Sequence, residues 1–221
     1  LLSHGGMVRS FLTQFRIAGV RNVRILNNLP INHIGSVGDV ASFALIGGGL
    51  IHFMDRFDPA GSLEAIEQNR LTVWGQVPVQ LQQSLESRAF GKYDLSSLEL
   101  IFWSGGVASL SLVERLQAIA PKLMNAYGMT EATSNVSYTP PGADAKTLSE
   151  TIGSAAPDCE IKVAGADGEA LASGEEGEIC VRCDHLMLGY LNRDEAEREA
   201  IDAEGWLHTG DVGAMTSEGF L

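Results

Sequence analysis

Between residues 50 and 129, short apolar runs alternate with amphipathic stretches of about ten residues. The apolar runs LIHF, LTVWG, LELIFW and KLMNAYG have the length and composition of strands. The intervening stretches PAGSLEAIEQNR, VPVQLQQSLES and SLVERLQAIA have the spacing of helices. This alternation is typical of βαβ units, in which parallel strands are buried between helices. The sequence therefore predicts an α/β fold, a layered parallel sheet with flanking helices.

The same alternation of predicted strands and helices extends towards the beginning of the chain. Residues 4–19 carry apolar side chains at helical spacing, and Gly19 is placed to end that helix. VRILN (23–27) is predicted to be a strand, and residues 34–49 are predicted to form a helix that stops at a run of glycines.

After residue 145 the pattern changes to short alternating strands around glycine-rich turns. One charged helix is predicted at about 192–202. We therefore expect an α/β part over residues 1–145, followed over residues 146–221 by a small, mainly antiparallel, β-barrel-like unit of the same large domain.

Composition limits the classes of partner. A formal net charge of −13 over 221 residues argues against non-specific nucleic-acid binding, which needs cationic side chains on the phosphates. It does not argue against ATP, since magnesium and backbone N–H groups can neutralise phosphate charge. No apolar run is long enough for a transmembrane segment, and an odd number of cysteines, three, favours a reducing cytoplasm.

The Cys180-Val-Arg-Cys183 motif has the spacing of a metal or redox pair, but no second pair accompanies it. We interpret both cysteines as small apolar side chains on a strand. His4, His52, His185 and His208 have no metal-ligand spacing among them and are interpreted as structural.

Two polar motifs follow predicted parallel strands, where α/β sheets bind ligands. They are SGG (104–106) and YGMTE (127–131). The second supplies an aromatic ring, a bare backbone, a hydroxyl donor and a carboxylate, which together suit a nucleotide and its metal ion.

Three stretches resemble, in order and spacing, the core motifs of the adenylate-forming superfamily: YGMTEA (127–132), GEICVRCDHLMLGYLNR (177–193) and GWLHTGDVG (205–213). LPINHIG (29–35) and KYDLSSLELIFWSGG (92–106) are similar to further segments of that superfamily. Within it, the chain looks most like AMP-forming acyl-CoA synthetases of the fatty-acyl-CoA ligase type. The resemblance implies ATP-dependent conversion of a carboxylic acid, fatty or aryl, into an acyl-adenylate. The acyl group then passes to CoA, and AMP and pyrophosphate are released.

The resemblance also implies roles for individual residues. Tyr127 would lie against adenine, Gly128 would leave room for the acid and the α-phosphate, and Thr130 would donate to a phosphate oxygen. Glu131 would bind Mg²⁺, and Asp211 would accept hydrogen bonds from the ribose hydroxyls. Each also has a purely structural alternative. Tyr127 could be a core residue, Gly128 a turn glycine, Thr130 a helix N-cap, Glu131 a solvated acid and Asp211 a turn aspartate.

His33, in the P-x-x-H motif, would lie between the acid pocket and the pantetheine tunnel and act with Thr130 and Glu131 in catalysis; a core histidine is its alternative. The remaining residues implied in nucleotide binding are Ser104, Gly105, Gly106, Val107, Asn125, Ala126 and Met129.

The acid itself is predicted to be hydrophobic. The apolar residues expected around it are Ile34, Val37, Val40, Ala41, Trp103 and Met129. Asp39 is the acidic residue of the same helix and would suit an ammonium group, but we interpret it as solvent-facing.

The superfamily's phosphate loop is expected before Leu1, and its hinge, catalytic lysine and small C-terminal domain after Leu221. We therefore expect this part alone to be inactive, with sheet edges open to self-association. Two alternatives stay open: a synthetase that loads acyl or aminoacyl groups onto a carrier protein, and a non-catalytic nucleotide-binding relic.

Overall fold

The computed structural model describes residues 1–221, apart from the side chain of Asp194. In the described chain, seven strands form the larger sheet in the order β2-β1-β3-β4-β5-β6-β7. The five parallel strands are β1 (Arg24–Asn27), β2 (Leu50–Phe53), β3 (Val73–Gln76), β4 (Leu100–Trp103) and β5 (Lys122–Met129). Strands β6 (Ser134–Tyr138) and β7 (Ser154–Ala155) add an antiparallel edge. The predicted α/β class with a layered parallel sheet is confirmed.

The helices are α1 (His4–Ala18), α2 (Phe43–Ile46), α3 (Pro59–Asn69), α4 (Pro78–Glu86), α5 (Leu110–Gln117), α6 (Ala145–Glu150) and α7 (Asp194–Ala200). Helices α1, α3, α4, α5 and α7 begin and end close to the predicted positions, whereas α6 was not predicted. Ser3 caps α1 by accepting a hydrogen bond from Gly6 N at 2.9 Å, and Gly19 ends it with a φ of +60°. Among the described helices, none combines the length and apolar character needed to cross a membrane.

Residues 34–49 do not form the single regular helix that the sequence predicts. Gly35–Ser42 is a π-helix, and only Phe43–Ile46 continues as α-helix. Gly38 lies directly against the ring of Phe11, where a Cβ atom would collide with it. Wide turns of this kind are uncommon and occur frequently at functional sites.

Hydrophobic clusters cover both faces of the larger sheet. Successive strand residues alternate between the faces, as the pleat requires. Leu26, Trp74, Ile101 and Leu123 belong to one cluster, and Ile25, Val73, Leu100 and Met124 to the other. This burial on both faces explains why the parallel strands are continuous apolar runs in the sequence.

In the described part of the chain, the second sheet contains three antiparallel strands in the order β10-β9-β8. They are β8 (Cys159–Ala164), β9 (Glu176–Cys183) and β10 (Leu207–Ala214). The sheet is open, so the expected resemblance to a barrel is limited to its antiparallel pairing. The chain leaves the larger sheet only after Ala155, later than the boundary expected at residue 145.

Candidate active site

The carboxyl ends of the parallel strands surround a cavity of about 540 Å³. Its walls come from the π-helix, from the segments after β3 and β4, and from the turn between β5 and β6. Seven residues predicted to be functional line it together: His33, Ser104, Gly105, Gly128, Met129, Thr130 and Glu131. The predicted site residues of three separate segments therefore converge on one cavity.

The turn between β5 and β6 fixes the backbone of the YGMTE motif. Thr130–Ala132 is a single 3₁₀ turn, and Thr133 and Ser134 follow with φ angles of +57° and +106°. These left-handed residues turn the chain back as β6, so no α-helix begins at Thr130, and the proposed helix N-cap is wrong. A Cβ atom at Gly128 would collide with the Ser134 carbonyl. Gly128 is therefore required for the close approach of β6, in addition to lining the cavity.

Glu131 is held by the loop that follows β9. Tyr190 donates its hydroxyl proton to Glu131 Oε1 at 2.9 Å. The backbone N–H of Met187 donates to Glu131 O at 2.7 Å. Burial and the Glu131 carboxylate both raise the pKa of Tyr190, so the phenol stays a donor at neutral pH. The carboxylate thus lies at the cavity in a fixed orientation, and carboxylate oxygens are the ligand type that Mg²⁺ prefers.

Tyr190 was not among the residues singled out from sequence, although it lies inside the quoted segment 177–193. Replacing it with phenylalanine should lower the rate of acyl-adenylate formation several-fold, because one charge-assisted hydrogen bond that orients Glu131 is lost. Acid-dependent exchange of pyrophosphate with ATP, measured over a range of Mg²⁺ concentrations, would report the change. A Tyr190→Phe variant with unchanged exchange at every concentration would show that Glu131 is oriented without it.

Tyr127 and Asp211 come together in space, although neither is among the described lining residues of the cavity. The Tyr127 hydroxyl donates to Asp211 Oδ2 at 2.6 Å, across a separation of 84 residues. Burial raises the pKa of Tyr127, and the bond to Asp211 raises it further, so the phenol stays protonated. Asp211 itself is exposed. The two residues that the resemblance assigns to adenine and ribose are therefore neighbours.

Several predicted residues have less direct access to a ligand. The Ala126 side chain is buried in the core, and the Asn125 amide donates to Thr151 O at 2.9 Å. The Asn125 backbone is also engaged, because its N–H donates to Thr139 Oγ1 at 2.8 Å and its carbonyl accepts from Thr139 N at 2.9 Å. Val107 is 78% exposed beside the cavity rather than part of its described lining, and Gly106 is likewise exposed.

The acid pocket differs in part from its prediction. Ile34, Val40 and Met129 line the cavity as expected, and Phe102 joins them although the sequence analysis did not select it. Trp103 is fully buried on the opposite face of β4, because neighbouring strand residues point to opposite sides. Val37 and Ala41 are not among the described lining residues.

The expectation that Asp39 faces solvent is wrong. Its side chain is 8% exposed and lines the cavity, because the π-helix turns this position towards β6. Ser134 Oγ donates a hydrogen bond to it. Burial raises the pKa of the Asp39 carboxyl to about 7. The cavity therefore contains a titratable group.

His33 is exposed at the same cavity, not buried in the core. Its Nδ1 accepts the backbone N–H of Gly35 at 3.0 Å, which leaves Nε2 as the nitrogen that carries the proton in the neutral ring. The histidine is thus oriented by the first turn of the π-helix.

A family model described as AMP-binding enzyme matches residues 1–191. Together with the cavity at the strand ends and the YGMTE turn, this match establishes that the chain belongs to the family of AMP-binding enzymes. It also confirms the resemblance to the adenylate-forming superfamily.

Similar proteins include indoleacetate–CoA ligase of Aromatoleum aromaticum, 34% identical over 90% of this chain and 38% of its own length. 4-Coumarate–CoA ligase 1 of Narcissus pseudonarcissus is 32% identical over 99% of this chain and 42% of its own length. The chain thus spans about two fifths of the length of these curated relatives.

Two solved structures share the fold. O-succinylbenzoate Coenzyme A synthetase from Bacillus subtilis, in complex with ATP and magnesium, has a TM-score of 0.86 and 29% identity over 99% of this chain and 45% of its own. The amide bond synthetase from Marinactinospora thermotolerans has a TM-score of 0.87 and 31% identity over 100% of this chain and 45% of its own.

Proposed function

We propose that the enzyme carrying this chain activates a carboxylic acid with ATP, as an acyl-adenylate, and transfers the acyl group to CoA. The observation that carries this proposal is the cavity at the strand ends, with Thr130 and Glu131 in its wall, together with the hydrogen bond between Tyr127 and Asp211. The relatives that are CoA ligases support the same reaction.

The chain's own residues have distinct tasks in this reaction. Asp211 accepts hydrogen bonds from the ribose, and Tyr127 lies against the adenine. The Thr130 hydroxyl donates to a phosphate oxygen as the carboxylate of the acid approaches the α-phosphate. Glu131, held by Tyr190, is the residue that would hold Mg²⁺, and the ion would neutralise phosphate charge while pyrophosphate leaves.

The molecule that accepts the acyl group is a separate part of the proposal. His33, at the mouth of the acid cavity, supports CoA, because the family resemblance places the pantetheine tunnel on its other side. The amide bond synthetase relative makes an amine a second acceptor class to test. Loading of a carrier protein stays an alternative, and the oriented Glu131 carboxylate argues against a relic without chemistry.

We further propose that the acid is an acyl or aryl acid with a hydrogen-bond donor, such as a hydroxyl or an ammonium group. Phe102, Ile34 and Val40 suit an apolar body. Asp39 and Gln76 do not suit a wholly apolar acid, because Gln76 Oε1 is buried without a partner and Asp39 is a buried carboxyl. Leaving the Gln76 oxygen unpaired against a bound ligand costs about 1–3 kcal/mol. Asp39 already accepts from Ser134, and its second carboxylate oxygen could accept from the acid.

Matched pairs of acids, with and without one hydroxyl or amino group, would test both levels of this proposal in the whole enzyme. The first measurement is AMP release with CoA, with an amine and with neither. No acid-dependent AMP in any mixture would contradict the reaction itself. Turnover that is equal for both members of every pair would contradict only the polar acid.

At a pH above about 8, where the Asp39 carboxyl with its pKa of about 7 is ionised, Asp39→Asn should weaken discrimination within such pairs by about tenfold or more, because one hydrogen bond to a charged acceptor contributes roughly 1.5–3 kcal/mol. The kcat/KM ratio of each pair measures this effect. Asp55→Asn, at an exposed position outside the described cavity lining, is the matched control and should leave the ratio unchanged. An unaltered ratio in Asp39→Asn would mean that Asp39 does not contact the acid.

A cytoplasmic location is also proposed. It is supported by the free state of Cys159, Cys180 and Cys183, which suits a reducing compartment.

A further inference from the structure

Two cysteines and a histidine meet where the second sheet approaches the catalytic turn. Cys159 on β8 and Cys183 on β9 are directly paired across the sheet. Cys159 Sγ lies 3.3 Å from His185 Nε2, and Cys183 Sγ lies 3.4 Å from His185 Nδ1. One ligand atom from each of the three residues lies within 4.8 Å of the other two. Soft sulfur and nitrogen donors therefore converge from three positions in the sequence.

His185 is oriented as a ligand. Its side chain is 1% exposed, and Nδ1 lies 2.9 Å from Ala132 O. A carbonyl oxygen can only accept, so Nδ1 carries the proton, and the lone pair of the neutral ring is on Nε2. Metal-binding histidines are commonly fixed in this way, by an outer hydrogen bond to a carbonyl or carboxylate.

A fourth donor lies beside the first three. Asp158 Oδ2 is 3.8 Å from His185 Nε2, and Asp158 Oδ1 is 3.9 Å from Cys159 Sγ. Zinc bonds of about 2.0–2.3 Å in a tetrahedron place neighbouring ligand atoms roughly 3.3–3.8 Å apart. Cys159 Sγ and Asp158 Oδ2, at 3.3 and 3.8 Å from His185 Nε2, already have about this spacing. Cys183 Sγ contacts Nδ1, at 3.4 Å, so its side chain would have to turn towards an ion bound at Nε2.

We propose that Cys159, Cys183, His185 and Asp158 form a structural zinc site. The ion would form bonds to two sulfur atoms, to Nε2 and to one carboxylate oxygen. Each cysteine that is still a thiol would lose its proton to solvent as its sulfur–metal bond forms. Because His185 holds Ala132, next to Glu131, the ion would tie the second sheet to the catalytic turn.

This site could not be recognised from the spacing of its residues in the sequence. Cys180 and Cys183 are three residues apart on one strand and point to opposite faces, so the CxxC motif itself cannot chelate a metal. Cys183 instead meets Cys159 through strand pairing, and His185 through the loop after β9. The proposed site gives Cys183 and His185 a metal-binding role that the sequence analysis did not assign to them.

A second group, Glu178, Cys180 and His208, supplies the control. His208 Nδ1 is 2.8 Å from Glu178 and its Nε2 is 3.5 Å from Asp202, so both ring nitrogens already face carboxylates. These carboxylates raise the pKa of His208, which favours a charged imidazolium that cannot bind a metal. No site is proposed there.

Titration of the metal-free, reduced protein with Co²⁺ alone tests the proposal. We expect a thiolate-to-cobalt charge-transfer band that saturates at one equivalent and disappears when Zn²⁺ is added. Cys159→Ser and Cys183→Ser should each lose about half of the band intensity and at least tenfold in affinity. Cys180→Ser, which removes the cysteine of the control group, should retain both.

The melting temperature provides a second test, which does not require the cysteine variants to fold. Zn²⁺ should raise the Tm of the unaltered protein, and by a smaller amount that of Asp158→Asn, because a ligand that binds the folded state stabilises it. Absence of the cobalt band, a band lost in Cys180→Ser, or a Tm indifferent to Zn²⁺ would each overturn the proposal. None of these measurements depends on acyl-CoA synthesis.

Discussion

Replacing Glu131 with alanine should reduce acid-dependent exchange of pyrophosphate with ATP by about a hundredfold or more. The carboxylate is the residue proposed to hold Mg²⁺ where charge develops as pyrophosphate departs, so its loss acts on the transition state more than on acid binding. The KM for the acid should change little. The measurement is isotope exchange between pyrophosphate and ATP in the whole enzyme, at several Mg²⁺ concentrations.

Glu114→Ala provides the matched control, because Glu114 is an exposed glutamate on α5 and is not part of the described cavity lining. It should exchange pyrophosphate at the normal rate. If Glu131→Ala exchanges near normally at ordinary Mg²⁺, the carboxylate has no metal role and the solvated-acid alternative is correct.

Asp211→Ala should raise the KM for ATP by about tenfold or more, since a hydrogen bond to a charged acceptor contributes roughly 1.5–3 kcal/mol. The exposed carboxylate lies next to the Tyr127 hydroxyl and can accept from a cis-diol with its two oxygens. Initial rates at saturating acid, over a range of ATP concentrations, give the value. With 2′-deoxy-ATP, which lacks one of the two ribose hydroxyls, the increase in KM caused by Asp211→Ala should be smaller than with ATP.

Tyr127→Phe separates the two members of this pair. It removes the phenolic hydroxyl that donates to Asp211 but keeps the aromatic ring and the Asp211 carboxylate. The KM for ATP should therefore rise less than in Asp211→Ala. An unchanged KM in Asp211→Ala would leave the aspartate as a turn residue without a nucleotide contact.

Most of the larger sheet could be predicted from sequence because its strands are buried on both faces. Runs such as LELIFW leave little choice of structure between two helical stretches. The π-helix could not be predicted, because its width depends on how Gly38 packs against Phe11, a contact between distant segments. The end of the first sheet was also missed, since β7 has only two residues and no pattern of its own.

The candidate site was predictable where motif residues are adjacent in sequence, as in YGMTE. It was not predictable where the partner arrives from another segment. Tyr190 reaches Glu131 from 59 residues away, and Asp39 reaches the cavity because a widened helix rotates it inward. For the same reason, the two cysteines of the CxxC motif belong to different groups in space, and Cys183 joins Cys159 instead.

The hydrogen bond between Tyr190 and Glu131 also has a consequence for the order in which the site forms during folding. The strand that leads to Glu131 pairs with neighbours close in sequence, whereas the group that orients its carboxylate lies 59 residues further along. During synthesis, the sheet can therefore form before the ribosome has added the residue that fixes the acid. Contacts of such long sequence separation are slow to close, so the Glu131 carboxylate is oriented late in folding, after the backbone of the turn around it.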